Sequence, residues 1–402
     1  MKDTDIEEIV AWLTQQGLQG AAEAELFTGF CEACRQRGLD IVRGMALMDT
    51  LHPVYEGRAF RWDSKEDVEP VFEYGPTSQG IARENWLHSA FYHLMTTQKS
   101  EVRRRIGFGD PTDFYALDTM KEAGHTDFVA FASHFEQSGT IGEMDCFFSH
   151  FLTAADGGFS EANIHALRRL VPALALAVKC TALGRIARTI AEVYLGEDAA
   201  RHVLEGKITR GKAERISAAL WFSDLANYTR ISDTAEPDEI IPLLNDYADA
   251  VISSIHDAGG NVLKLIGDGT LAIFKDQDAG DACAAALKAE ETLRDRLNEL
   301  NAQRRNDGRP VTDVYLGLHI GDVFYGNIGS LDRLDFTVIG PAVNEVSRIA
   351  SMCRSVDRNI LMSSNFVNAT PTKQRNDLVS VGRYALRGVD RAQELFTLIS
   401  AA

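Results

Sequence analysis

The chain has 402 residues, 45% hydrophobic and 25% charged, a globular composition with room for two or three domains that excludes a largely disordered protein. A formal charge of -17 excludes a nucleic-acid-binding surface spread over the whole molecule, because phosphate backbones demand an excess of Lys and Arg. The start "MKDTDIEEIV" is acidic where a secretory leader is basic, and the longest apolar run, "VPALALAV" at 171–178, is too short to cross a bilayer, so a cytoplasmic protein with neither a membrane nor a nucleic-acid partner is expected.

Two amphipathic helices are expected first, at 5–17 and 20–37. Cys31 and Cys34 lie in the second without a further CxxC or HxxxH to complete a zinc site, and are read as packing residues. Strand-like pieces follow at "LDIVRGMALM", "RAFRW", "TDFVAFASHF" and "GEMDCFFSHF", with a helical "ENWLHSAFYHLMTT" among them. Helices laid on a largely antiparallel sheet give an α+β regulatory or sensor domain over 1–160, whose ligand the sequence does not name.

Residues 161–215 read as a helical connector and linker. Leu176, Leu183, Ile186, Ile190 and Val193 recur at intervals of seven, three, four and three, which suits either a short coiled-coil seam or a helix packed on its own domain, and its place between two domains favours a dimerising, signal-carrying connector. The polar, basic "EGKITRGKAERIS" leads into the last domain, 216–402. There the pattern predicts a strand at "AALWF", a helix over 237–257, a hairpin over 261–275 and a helix over 278–304. Strands at "VYLGLHIGDVFYGNI" and "LDFTVIG", a helix over 342–353 and further strands follow, again an α+β arrangement.

In "NVLKLIGDGTLAIFK", Asp268 stands between two glycines with Lys264 four residues before it. Taken alone this is turn chemistry. A second acid, Asp224 in "AALWFSDLANYTR", follows an apolar strand. Two such carboxylates are the hard-oxygen ligands that Mg²⁺ or Mn²⁺ prefers, and suit a pair of ions about 3.5 to 4 Å apart. In "LDFTVIGPAVNEVSRIASM", Asn344 and Arg348 are four apart on one helical face, and an arginine fork suits a phosphoryl centre that gathers charge. His319, on an apolar strand in "LGLHIGD", reads as structural.

"FSDLANYT", "KLIGDG", "LGLHIGDVFYGNIGS", "DFTVIGPAVNEVSR" and "LRG" resemble, in order and spacing, the catalytic domain of class III nucleotide cyclases over 216–402. The order of pieces in 1–160 resembles a GAF domain. The resemblance implies a ferredoxin-like catalytic core, preceded by the GAF-like domain and the connector, that works as a homodimer and converts ATP to cyclic AMP and pyrophosphate with two Mg²⁺ or Mn²⁺ ions per site. It assigns the metals to Asp224 and Asp268, base selection to Lys264 and Thr337, and the ribose and transition state to Asn344 and Arg348. Arg387 falls where the family has a lysine for the terminal phosphates, and Pro341 and Glu345 depart from the commoner residues of their motif. Guanylate cyclase activity, or a catalytically silent nucleotide-binding signalling protein, are the alternatives.

Overall fold

The computed structural model describes residues 1–135, 142, 144–389 and 391–399. Glu143 of the expected "GEMDCFFSHF" strand, and positions 390 and 400–402 of the expected catalytic domain, lie outside the described residues. The chain divides into two compact units, Met1–Ile190 and Ala191–Ala402.

In the first unit α1 (Asp3–Gln19) and α2 (Glu23–Gln36) precede β1 (Arg43–Asp49), β2 (Gly57–Asp63) and β3 (Val71–Tyr74). The expected single helix over 84–97 is two, α3 (Gly80–Leu87) and α4 (Ala90–Thr97), because Ser89 between them caps the second by accepting from Tyr92 N at 3.0 Å. Then come β4 (Glu101–Arg104), α5 (Leu117–Glu122), β5 (Asp127–His134), β6 (Cys146–Thr153) and the long α6 (Glu161–Leu195). The six strands pair antiparallel in the order β3-β2-β1-β6-β5-β4. One sheet face, with Phe60, Phe147 and Phe151, packs under α1, α2 and α6. The other, with Phe128, Ala130 and Phe148, packs under α4 and α5.

Ile164, Leu167, Leu170, Leu174, Val178 and Ile186 of α6 are buried in the first unit's core, so the division falls at 190/191 and not at the 160/161 boundary expected for a free connector. The residues expected to form a coiled-coil seam are split by this packing. Ile186 is buried, Leu183 and Ile190 are half-buried against the same core, and Leu176 and Val193 are 63% and 50% exposed. By length and composition α6 also holds an 18-residue window, mean hydropathy 1.6, that could cross a membrane, which a search for unbroken apolar runs passes over. Of that window 44% is buried inside the protein.

The second unit opens with α7 (Glu197–Leu204), then β7 (Ala213–Leu225), α8 (Tyr228–Thr234), α9 (Pro237–Asp257) and the hairpin β8 (Asn261–Ile266) and β9 (Gly269–Phe274). α10 (Ala279–Asn306), β10 (Val314–Gly329), β11 (Leu334–Ile339) and α11 (Pro341–Val356) follow. β12 (Ile360–Ser363), α12 (Ser364–Ala369), α13 (Thr372–Arg375), β13 (Leu378–Tyr384) and β14 (Gln393–Leu398) close the unit. The expected linker is shorter than its polarity suggests, since 213–217 extend β7 by pairing with β10, Ala213 opposite Gly326.

The sheet order is β13-β14-β12-β10-β7-β9-β8, with β11 on β10. Numbering β7, β8, β9 and β10 as strands one to four gives the antiparallel order four-one-three-two of a ferredoxin-like core. Leu243, Tyr247 and Val251 of α9 and Cys283, Ala286 and Leu293 of α10 cover one face. α11 covers the other, and Gly317 of β10 is what lets it approach: a Cβ there would lie 2.6 Å from Val346 O and Ala350 N.

Candidate active site

β7 carries a fully buried Leu220 and Trp221 through the core and ends by delivering Asp224, while the β8–β9 turn delivers Asp268. Ser223 pairs with Thr270 across the β7–β9 ladder, which sets the end of β7 beside that turn, and Asp268 Oδ2 accepts from Leu225 N at 3.3 Å. Burial, and then the adjoining Asp268 carboxylate, push Asp224 up to about 7. The two acids line a pocket of about 190 Å³ with Asn245, Tyr247 and Thr270 and with no basic side chain. Two close carboxylates without a countercharge fit a divalent cation, which would find hard oxygens here and positions left for water and phosphate. Among the described residues no group of three or more His, Cys, Asp and Glu side chains gathers to hold a metal by itself.

The other expected residues stand elsewhere in the unit, and none lines that pocket. Lys264 projects outward from β8, and its Nζ donates to the Asp335 carboxylate on β11. Strand alternation puts Asp335 and Thr337 on one face of β11 while Phe336 and Val338 enter the core, so Asp335 draws Lys264 to the strand that carries Thr337.

α11 begins at Pro341, whose fixed φ suits a first helical turn. Val346, Ile349 and Ala350 are buried, and Asn344 and Arg348 lie one turn apart on the more exposed side. The Arg348 guanidinium rests on Gly388, where a Cβ would come within 3.3 Å of Nη2, and the exposed Arg387 adjoins it. Asn344, Arg348 and Arg387 thus form one neighbourhood, Lys264 and Thr337 a second, and the two aspartates a third.

Glu345 has a packing role. It accepts from Gln393 Nε2 at 3.1 Å and lies 3.3 Å from His319 Nε2. His319 Nδ1 meets Ser363 Oγ at 2.7 Å, and burial keeps the imidazole below its ordinary pKa against the opposing pull of Glu345. Cys31 and Cys34 are buried free thiols. Asp335 and Gly388 are the participants that the motifs alone did not single out. The period-two pattern around Thr337 points to Asp335, and Gly388 closes the "LRG" motif, though nothing local points to its contact with Arg348.

The family described as "Adenylate and Guanylate cyclase catalytic domain" matches residues 212–400. The chain is similar to an adenylate cyclase of Anabaena cylindrica, 36% identical over 39% of this chain and 31% of that protein. It is also similar to adenylate cyclase 1 of Rhizobium meliloti, 26% identical over 52% of this chain and 31% of that one. The chain therefore spans about a third of the length of these two relatives. Among solved structures, the adenylyl cyclase CyaB from P. aeruginosa is 25% identical over 46% of this chain and 95% of its own, with a TM-score of 0.42. The ferredoxin-like core, the paired aspartates and the family match together identify residues 212–400 as a class III nucleotide cyclase catalytic domain.

Proposed function

We propose that the protein is a cytoplasmic adenylate cyclase that converts ATP to 3′,5′-cyclic AMP and pyrophosphate at two sites shared across a homodimer, regulated through its N-terminal unit by a small molecule or a protein. The polarity of Lys264 and Thr337 carries the choice of base. Adenine offers an acceptor at N1 and a donor at N6, which an ammonium and a hydroxyl match, while guanine presents the reverse pair. That none of Lys264, Thr337, Asn344, Arg348 and Arg387 lines the aspartate pocket supports the shared site, because one chain supplies two halves that a second copy would complete. Exposed Leu265, Ile266 and Ile339 beside those halves support a face that another protomer covers.

Two Mg²⁺ or Mn²⁺ ions held by Asp224 and Asp268 would supply Lewis acidity that makes the ribose 3′-hydroxyl a nucleophile at neutral pH. Lys264 and Thr337 fix the base. Asn344 orients the ribose so that its 3′-oxygen lies in line with the α-phosphorus. Arg348 meets the charge that grows on the equatorial oxygens, where a unit pair at about 4 Å is worth on the order of 4 kcal/mol at an effective dielectric near 20. Arg387 receives the terminal phosphates as pyrophosphate departs, with a planar fork in place of an ammonium.

Incubating the purified chain with ATP or with GTP, each with Mn²⁺ or Mg²⁺, and resolving the products by chromatography tests the reading. Cyclic AMP in excess over cyclic GMP is expected. A preference for GTP would overturn the base assignment, and no cyclic product from either would reduce the domain to a nucleotide-binding relay.

A further inference from the structure

The first unit contains a cavity of about 1390 Å³ that no step of nucleotide cyclisation uses. Its floor is the sheet face opposite α1 and α2. Met45 on β1 pairs with Arg61 on β2 and with His150 on β6, so these three side chains form one row across it. Arg43, two residues before Met45, projects from the same face, directly opposite Asp63 and diagonal to Arg61.

The walls are flat and apolar. Phe91 of α4 stacks on His150 with centroids 5.7 Å apart, and Trp86 of α3 meets Phe148 edge-on at 5.9 Å. Phe114, Met95 and Leu47 also line the space.

Arg43, Arg61 and Arg83 line the cavity, and so do the acids Asp49, Glu56 and Asp145. Asp49 accepts from the Tyr74 hydroxyl at 2.8 Å, and Glu56 accepts from both Thr77 N and Thr77 Oγ1, so these two acids are already engaged. Burial and then Arg43 hold His150 down at about 3, leaving it neutral. Arg43 and Arg61 make no ion pair among the described residues. Arg61 instead lies with its guanidinium carbon 4.6 Å from the Phe72 ring centroid. Stacking fixes the plane of the fork and leaves its N–H edge able to grip an anion with two parallel bonds.

We propose that this cavity binds an organic acid with a flat aromatic body, its anionic group held by Arg61 with Arg43 beside it and its rings against Leu47, Trp86, Phe91 and Phe114. A volume above the usual range for small-ligand pockets, about 300 to 1000 Å³, suits a body of two or more rings.

Two fluorescent probes that share a body and differ in charge test this on the full chain. 8-Anilinonaphthalene-1-sulfonate carries the anion, and N-phenyl-1-naphthylamine lacks it. The sulfonate should saturate a single site and bind more tightly than the neutral amine. Arg61→Gln should weaken the sulfonate by at least about tenfold, the worth of charge-assisted hydrogen bonds, and leave the amine within about twofold. Leu47→Trp, which fills the cavity without touching a charge, should weaken both, and melting curves would verify that each variant is folded. An undiminished sulfonate affinity in a folded Arg61→Gln protein, equal binding of the two probes, or no saturable binding to the wild-type chain would each overturn the proposal.

Discussion

Lys264 on β8 donates to the carboxylate of Asp335 on β11, a contact across 71 residues of sequence that ties the hairpin bearing Asp268 to the strand bearing Thr337. An ammonium has three donors, so Lys264 can keep Asp335 and still reach an adenine acceptor. Both partners are half-exposed, so the pair contributes little to stability. On the proposed reading of the base by Lys264, its effect lies in aiming the lysine. Asp335→Ala is expected to raise the KM for ATP by roughly tenfold, the order of a lost charge-assisted bond, while the melting temperature stays within about a degree or two. Steady-state kinetics and a thermal melt on the same preparation check both halves. An unchanged KM would leave the pair a surface contact.

Exchanging the polarity of Lys264 and Thr337, the pair proposed to read the base, should shift the preference between bases. Lys264→Glu with Thr337→Cys is expected to depress turnover of ATP and to favour GTP relative to it, because buried polar groups left facing the wrong partner discriminate by several powers of ten. The ratio of kcat/KM for the two nucleotides is the measure. A ratio that does not move places specificity in other residues.

The sequence predicts most clearly where one apolar stripe or one turn signal decides. α9 covers the expected 237–257, and of the expected apolar stripe Ile240, Ile241, Leu244, Tyr247, Ala248, Val251 and Ile255, the residues Tyr247, Val251 and Ile255 are buried while Ile241 is exposed and Leu243 is buried instead; the hairpin follows from its Gly-Asp-Gly turn. β3 and β4 are not legible, since Val71–Tyr74 has no fully buried residue and Glu101–Arg104 only Val102, so their order comes from ladder bonds to neighbours. The polar start of β7 is hidden for the same reason. α7 looks continuous with α6, and only Gly196, at φ 81, separates them. Among the site residues, Asp224 and Asp268 announce themselves by strand ends and glycines. The contact of Arg348 with Gly388 spans 40 positions and leaves no local trace.

The packing of α6 separates two kinds of substitution. Ile186 is fully enclosed by the first unit's core, so Ile186→Ala should destabilise that unit by about 2 to 4 kcal/mol through lost transfer energy and a cavity. Leu176 and Val193 face outward, and Leu176→Glu with Val193→Glu should leave stability near wild type. If these two residues meet a second copy of the chain, the same double variant weakens dimerisation. Urea titration and sedimentation velocity distinguish the effects. Equal stability loss in both variants would contradict the burial pattern.

Asp198 anchors α7 to the catalytic sheet by accepting from Lys275 Nζ at 2.7 Å and from the Tyr325 hydroxyl at 2.7 Å, with Arg201 also paired to it. Burial pushes this carboxyl up, but the bonds from Lys275 and Tyr325 outweigh that and hold it at about 2. A lowered folded-state pKa gives stability that is fully present above the ordinary carboxylate range and is lost as the pH falls from near 4 through about 2. The shift is worth about 2 kcal/mol. Asp198→Asn should therefore lower the unfolding free energy by about that much at pH 7, with the gap to wild type closing toward pH 2. A gap that does not vary with pH would show that the carboxylate charge is not what matters.

Arg348 does not line the aspartate pocket, and a shared site that joins the two makes a quantitative demand. In a homodimer with two such sites, Asp224→Ala damages the acid half of both and Arg348→Ala the cationic half of both, so each variant alone should be nearly inactive. Mixed in equal amounts with free subunit exchange, half the dimers are heterodimers. In each of these one site collects both defects and the other has none. One active site in two, in half of the dimers, restores about a quarter of wild-type activity. A site built within a single chain restores nothing, whatever the mixing. Exchange is followed independently by labelling each variant with a different fluorophore and watching energy transfer appear. Transfer without recovery of cyclic nucleotide synthesis would defeat the shared-site arrangement, and recovery near a quarter would fix which half each protomer contributes.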